Sequence, residues 1–456
     1  MELFPYQTVG AEVLAANSRF LLADDMGLGK SAQAIRAADK LGLKKLLVVC
    51  PAIARINWSR ELVKFGLVKR VVHVILDGKK PIPADAETVI VNYDLLAKRA
   101  DELKARRWDV LVLDEAHYIK SPTAVRTKTI TGSRQTGAGI LTVCDRIWAL
   151  TGTPMPNTAA DLWVACRAII PGVARSLGIT TEEAWLQKFT MRRETDWGTI
   201  PFRSINLDTL QRAMAPFMLR RKKSDVLKDL PAIRFDTWTV EADPALLKEA
   251  RRTASKDDLA KLKVVFDGMG VSDEVGLDPL AMASVRRLTG KLKAPAVAAL
   301  LVERLNANPG DKAIVFAVHR EALDYLETAL KAFMPVRVDG NVTGDHRQRA
   351  IDVFQTDPGC RVFVGQLQAC STAINLTEAN LVVFAEASWV PAENEQALSR
   401  AHRLGNKRSV EVIYTCLEGS IDEAVTGVLI RKASEIRQFL AESKGRDSTL
   451  DEFDDL

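Results

Sequence analysis

Along most of the chain, apolar runs of four to six residues end in polar or glycine-containing turns and alternate with stretches of helical periodicity. In the first half these runs are residues 20–23, 46–50, 71–76, 88–91 and 110–113, followed by Trp148-Ala149-Leu150. A second series, from about residue 291, comprises 313–318, 336–339, 361–364 and 381–384. Mostly apolar runs spaced by helical stretches predict parallel strands and hence doubly wound α/β sheets. In such sheets ligands sit beyond the carboxyl ends of the strands, and that is where the polar clusters of this sequence fall.

Other stretches depart from this rhythm. Leu3, Phe4, Tyr6, Val9, Val13 and Leu14 have helical spacing over residues 1–18, with Gln7 among them. Residues 158–237 read as helical and irregular, rich in aromatics (Trp163, Trp185, Phe189, Trp197, Phe202), with a basic knot at Arg220-Arg221-Lys222-Lys223. Residues 241–290 read as a charged helical insertion. The end of the chain, with Asp447, Asp451, Glu452, Asp454 and Asp455, reads as a disordered acidic tail.

Composition narrows the picture only modestly. The 456 residues suffice for two or three domains, and 47% hydrophobic with 27% charged residues is a globular balance. A net charge of +5 permits a local basic groove without requiring one. Six scattered cysteines without a Cys-x-x-Cys pair, beside five histidines, suggest reduced core thiols and no metal cluster. The start Met-Glu-Leu-Phe-Pro lacks a signal-peptide pattern, and no run approaches eighteen apolar residues, so no membrane association is expected.

Candidate chemistry begins at Asp24-Asp25-Met26-Gly27-Leu28-Gly29-Lys30-Ser31. A strand, a loop with two glycines and a Lys-Ser at a helix start form a polyphosphate cradle. Backbone N–H groups face the anion, Lys30 reaches the outer phosphates and the Ser31 hydroxyl ligates magnesium. The strict pattern wants a small residue where Asp24 stands. Asp114-Glu115, at the tip of the 110–113 strand, supplies one carboxylate for magnesium and a second to activate water. Leu150-Thr151-Gly152-Thr153-Pro154 is a stiff turn with two hydroxyls. The second series carries no Gly-Lys-Ser and so no nucleotide site of its own. Instead it offers Gln396, Arg400 and Arg403, which share one face if residues 396–403 are helical, as an arginine-finger set for a γ-phosphate.

These clusters, in this order, resemble the SNF2 group of superfamily 2 helicase-like ATPases over residues 1–435. Leu3 to Gln7 is similar to the adenine-reading segment and Asp24 to Ser31 to motif I, in which Asp24 is a family habit. Cys50-Pro51 through Trp58, Asp114 to His117, and Leu150 to Asn157 resemble motifs Ia, II and III. Leu219 to Val226 with Leu230-Pro231 resembles the inter-lobe segment, and Gln396 to Gly405 motif VI. Val383-Phe384-Ala385-Glu386 with Trp389 is most similar to the SMARCAL-type annealing-helicase branch. Departures occur at 370–375, where motif V is usually glycine-rich, and at Ser399 and Asn406.

The resemblance implies two tandem RecA-like P-loop lobes with parallel sheets and helical insertions between motif III and the second lobe. The division expected is lobe 1 over 1–157, a helical protrusion and inter-lobe segment over 158–237, a helical insertion over 238–290, lobe 2 with a brace helix over 291–443 and a tail over 444–456. ATP and Mg2+ are the implied cofactors. Gln7, Asp25, Met26, Gly27, Leu28, Gly29, Lys30, Ser31 and Gln396 would bind nucleotide, with Ser31 and Asp114 on the metal. Lys30, Asp114, Glu115, Arg400 and Arg403 would be catalytic, completed by lobe closure. Double-stranded or branched DNA would meet Arg55, Asn57, Trp58, Asn92, Tyr93, Thr151, Thr153, His319, Arg320, Ser371, Thr372 and Asn375 through charge and not sequence. The expected protein is a monomeric, DNA-stimulated ATPase translocating on DNA in repair, recombination or fork remodelling, in a prokaryotic cytoplasm or nucleoid, a virus-infected cell or a nucleus. A strand-separating DNA or RNA helicase and a non-hydrolysing nucleic-acid clamp are the competing expectations.

Overall fold

The structure, a computed structural model, describes residues 1–133, 137–195, 198–227, 233–253, 279–342, 344–370, 376–388, 390–402, 406, 408–420 and 422. Arg403, Ser371, Thr372, Asn375, Trp197, Trp389, Leu230, Pro231 and the tail 444–456 lie outside these residues, as does most of the charged insertion (254–278). The chain forms two compact units, with the division between Val226 and Leu227.

The first unit contains strands β1 (Arg19–Leu22), β2 (Leu46–Cys50), β3 (Val72–Val74), β4 (Thr88–Asn92), β5 (Trp108–Asp114), the short pair β6 (Gly132–Ser133) and β7 (Gly137–Ala138), and β8 (Cys144–Leu150). After them come the hairpin β9 (Thr190–Thr195) and β10 (Gly198–Ser204), then β11 (Met218–Leu219). Seven of these make one sheet in the order β11-β1-β8-β5-β2-β4-β3, parallel throughout. Both faces are covered. Leu47, Val49, Leu111 and Leu113 join one core, while Leu46, Val48, Cys50, Val110 and Val112 join the other. Successive side chains point to opposite faces, so a strand buried on both must be apolar at every position. This is why these strands stand out as unbroken apolar runs.

The second unit contains β12 (Ile233–Val240), β13 (Ala313–Ala317), β14 (Val336–Val338), β15 (Val362–Gln366), β16 (Leu381–Phe384) and β17 (Val410–Leu417). They form a parallel sheet ordered β12-β17-β16-β13-β15-β14. Again alternate residues divide between two cores, Ala313, Val315 and Ala317 in one and Ile314 and Phe316 in the other. The α/β architecture with two parallel sheets is therefore as the sequence predicts. Among the described residues no helix is long and apolar enough to cross a membrane, and all six cysteines are buried and free.

Two readings of the sequence are corrected. Residues 158–237 are not simply helical and irregular: they carry an antiparallel hairpin, a strand that extends the first sheet and the start of β12. Trp163, Trp185 and Phe189 are part of the first sheet's core and not of a detached segment. Among the described residues the second sheet has six strands, five of them from residue 291 on where four were expected. Strand β12 pairs only with β17 at the sheet edge and is largely exposed, so its sequence, Ile-Arg-Phe-Asp-Thr-Trp-Thr-Val, lacks the apolar run of a central strand.

Candidate active site

Three turns lie side by side at the carboxyl ends of adjacent strands β1, β8 and β5. The first is the phosphate loop. Strand β1 leads through buried Ala23 into Asp24, and helix Lys30–Lys40 begins immediately after Gly29. Gly27 and Gly29 adopt φ of 86° and 72°, a left-handed conformation that side chains resist. A Cβ on Gly29 would also lie 2.3 Å from Gln7 Nε2. The helix start has no side-chain cap and no acid in its first turn, leaving its N–H groups and positive dipole end to an anion.

The predicted loop residues are brought together. Gln7 is buried, donates Nε2 to the Leu28 carbonyl at 3.2 Å and accepts the Phe4 N–H at 3.0 Å, so it is docked on the loop. Lys30 is buried and its Nζ donates to the carbonyls of Asp24 (2.8 Å) and Asp25 (3.2 Å). Burial pushes its pKa down, against the charges of Glu115, Asp24, Asp114 and Asp25. Met26 packs against the second turn: a Cβ on Gly152 would stand 2.5 Å from its Cγ. Ser31 is half-buried in the first helical turn. Asp25 turns its carboxylate away from the loop mouth, accepting from Arg220 Nη2 at 2.8 Å and the Lys223 N–H at 3.0 Å.

The third turn holds Asp114 and Glu115. Asp114 Oδ2 accepts the Trp58 indole N–H at 2.8 Å, Oδ1 accepts the Glu115 N–H at 3.1 Å, and its carbonyl accepts the Tyr93 hydroxyl at 2.8 Å. Burial, and then the Glu115 charge, push Asp114 up to about 7, against the Trp58 bond and the Lys30 charge. Glu115 sits at φ 51°, ψ 54°, an uncommon conformation for a residue with a side chain. Its Oε2 is 3.4 Å from Thr151 Oγ1 and 3.3 Å from His117 Nδ1. His117 Nδ1 in turn lies 3.1 Å from Thr151 Oγ1 and 3.3 Å from Thr153 Oγ1. The second turn therefore braces the acid of the third.

Several residues expected to touch DNA make bonds within the fold. The side chains of Trp58, Asn92, Tyr93 and Thr151 are buried; Trp58 and Tyr93 bond Asp114, Thr151 lies 3.4 Å from Glu115 Oε2, and Asn92 reaches Asp94 Oδ2 at 3.4 Å. Arg55 is half-buried, with its guanidinium donating to the carbonyls of Ala52, Ile75 and Leu76. Asn57 is exposed and donates to Glu61 Oε1 at 3.0 Å. In the second unit His319 Nδ1 lies 2.7 Å from buried Glu386 Oε1, and exposed Arg320 donates to Asn341 Oδ1 at 2.7 Å.

The single helical face expected for Gln396, Arg400 and Arg403 is also corrected. The helix Pro391–Leu398 ends before Arg400. Ser399 Oγ bonds the Gln396 carbonyl at 2.7 Å, the Arg400 N–H turns to Ala397 at 3.1 Å, and the Arg400 carbonyl accepts from Leu376. Gln396 and Arg400 are both buried; Arg403 lies outside the described residues. The residues that sequence reasoning missed are Trp58 as a support for Asp114, Tyr93 beneath it, Gln33, and Arg220 with Arg221. For the two arginines the signal was opposite charge on the dipeptides Asp24-Asp25 and Arg220-Arg221; Trp58, Tyr93 and Gln33 carried none.

Comparison with known proteins supplies the rest. A SNF2-related domain matches residues 6–246, and a helicase conserved C-terminal domain matches 294–405. The chain is 30% identical over 450 residues to the SWI/SNF-related matrix-associated actin-dependent regulator of chromatin subfamily A-like protein 1 homolog of Caenorhabditis elegans, covering 96% of this chain and 61% of that protein. It is 31% identical over 453 residues to the DNA annealing helicase and endonuclease ZRANB3 of Mus musculus, covering 95% and 40%. It thus spans 40 to 61% of the length of these two relatives. A solved structure, the Sulfolobus solfataricus SWI2/SNF2 ATPase core in complex with dsDNA, aligns over 99% of this chain and 95% of that chain at 23% identity and a TM-score of 0.45. The SNF2-related match covers more than half of the chain, including the phosphate loop, the threonine turn and the acidic pair, and the chain belongs to the SNF2-related family of helicase-like ATPases.

Proposed function

We propose that the chain hydrolyses ATP and uses the energy to translocate on double-stranded DNA. The observation that carries the first half is the adjacency of the uncapped phosphate loop after β1 and the Asp114-Glu115 pair after β5, one strand apart. Loop N–H groups would bind the phosphates, and Gln7, docked on the loop, would meet the base. Lys30 would exchange the Asp24 and Asp25 carbonyls for a phosphate oxygen.

Magnesium fits this donor set. Asp114 is a half-buried carboxylate at the end of β5, on the loop's side of the sheet, and Ser31 is a hydroxyl in the first helical turn. Magnesium is commonly held by one or two protein oxygens together with phosphates and waters. When bound it would neutralise charge between the β- and γ-phosphates. Glu115, held by Thr151 and His117, would take the proton of the attacking water. We assign Gln396, Arg400 and Arg403 to the same reaction, with Arg400 and Arg403 meeting the γ-phosphate charge.

The name of one relative, a DNA annealing helicase and endonuclease, supports DNA as the substrate; we assign its duplex or branched form, and repair, recombination or fork remodelling as the setting. Among the residues first assigned to DNA, Asn57 and Arg320 retain exposed side chains. The test is ATP hydrolysis by the whole chain with and without duplex, forked and single-stranded DNA at low salt. Duplex or forked DNA should raise turnover at least tenfold; Lys30→Ala and Glu115→Gln should abolish it. Arg400→Ala should lose turnover while still binding nucleotide. Hydrolysis indifferent to every DNA would overturn the translocase reading.

A further inference from the structure

Two arginines that the proposed chemistry does not use lie behind the phosphate loop. Arg221 donates its N–H and its Nε to Asp24 Oδ1 at 3.1 and 3.0 Å, and its Nη2 to Asp24 Oδ2. The same guanidinium bonds Gln33 Oε1 at 2.8 Å and the Tyr6 carbonyl, and lies 5.4 Å from the centre of the Tyr6 ring. Arg220 donates Nη2 to Asp25 Oδ1 at 2.8 Å, and Nη1 to the carbonyls of Ala23 at 2.7 Å and Gly152 at 3.2 Å. Their side chains are 8% (Arg220) and 15% (Arg221) exposed, against 0% for Asp24. The Arg220-Arg221 half of the basic knot is therefore largely withdrawn from solvent. It is an extension of the sheet, with the Ala23 N–H bonded to Leu219 at 2.7 Å and the Asp25 N–H to Arg221 at 3.0 Å.

Two carboxylates at the base of a site for a polyanion pose an electrostatic problem. Unpaired, each would repel the phosphates and draw the Lys30 ammonium, whose Nζ already rests on the carbonyls of these same two residues. Paired in both-oxygen bonds, they become rigid pegs. Arg221 pins the start of the loop to Gln33 of the following helix and to the Tyr6 segment that carries Gln7. Arg220 pins it to the turn that braces Glu115.

We infer that Arg220 and Arg221 are positioning residues of the nucleotide site, which neutralise Asp24 and Asp25 and hold the loop, the Tyr6–Gln7 segment and the Gly152 turn in a phosphate-accepting arrangement. The inference rests on the ATP-site reading above. It predicts that charge, and not only packing, links the arginines to nucleotide affinity.

The test uses the whole chain and a fluorescent ATP analogue, with KM and kcat for ATP and thermal melts alongside. Arg221→Gln should weaken analogue binding and raise KM about tenfold or more, with a smaller change in kcat. Adding Asp24→Asn to that variant removes the uncompensated charge and should recover most of the affinity. Arg221→Lys keeps the charge but not the fork, and should raise KM severalfold; it serves the comparison if Arg221→Gln does not fold. Wild-type KM in either single variant, with only a lower melting temperature, would overturn the inference. So would a double variant binding no better than Arg221→Gln. Failure of the wild-type chain to bind the analogue would instead overturn the ATP-site reading itself, and the inference with it.

Discussion

Asp114 is the residue whose surroundings act most directly on its chemistry. In the folded chain it holds its proton from the ordinary 3.8 up to about 7, chiefly because it is buried and secondly because Glu115 is charged beside it. Between those two values the folded state binds more protons than the unfolded one, so stability falls as pH rises through that window. Removing the charge should reverse this. Asp114→Asn is expected to melt higher than wild type at pH 8, with the gap closing below about pH 5. Melting curves without nucleotide or magnesium across that range test it; a constant gap would mean that Asp114 carries no such penalty. Trp58 works in the opposite direction, its indole N–H stabilising the ionised carboxylate.

At the scale of elements, the ends of strands are where each unit concentrates its polar bonds. In the second unit buried Glu386, two residues past β16, accepts the N–H groups of Val318 and His319 at 2.8 Å each and lies 2.7 Å from His319 Nδ1. It thereby fixes the turn after β13. A Cβ on Gly290 would come 2.1 Å from its Oε1, so the helix Pro279–Ala307 approaches it closely only through a glycine. Glu386→Ala leaves two backbone donors without their acceptor and should cost about 2 to 4 kcal/mol of stability. Denaturant unfolding measures this, and a loss below about 0.5 kcal/mol would contradict the role. At the other strand-end helix, the stop at Leu398 shows a limit of periodicity: the i, i+4 rule applies only while the helix continues, and Ser399 ends it.

Each unit has its own sheet with two buried faces, and among the described residues the candidate phosphate loop lies in the first. Because a ligand stabilises the state that binds it, MgATP at a hundredfold over its Kd should stabilise the unit that holds the loop by about 2.7 kcal/mol. Differential scanning calorimetry should show a nucleotide-dependent rise in wild type and none in Lys30→Ala. A net charge of +5 is modest, so the DNA binding proposed above would have to come from local phosphate contacts. Such contacts release counterions, and binding should fall steeply between about 50 and 200 mM salt.

Much of the site was legible before folding is considered. Gly27, Gly29, Lys30 and Ser31 sit within one turn, and a tight loop with its helix start is decided by neighbours in sequence. The unbroken apolar runs of β2, β5 and β13 announce burial on both faces for the same local reason. The exposed edge strand β12 and the hairpin β9–β10 were not legible, because their side chains alternate with solvent or stand outside the central sheet.

Which distant groups meet is settled by the fold. Trp58 reaches Asp114 across 56 residues, and Arg221 reaches Asp24 across 197. An arginine in a basic run looks the same in sequence whether water or a buried carboxylate receives it. The parallel pairing of β11 with β1 makes that choice here. Neighbours in sequence alone specify the Gly27-Leu28-Gly29-Lys30-Ser31 pattern and the Asp114-Glu115 pair. Sheet order set them one strand apart and turned the oddly placed Asp24 into half of a buried ion pair, since electrostatic partners are selected by distance in space, which no local pattern encodes.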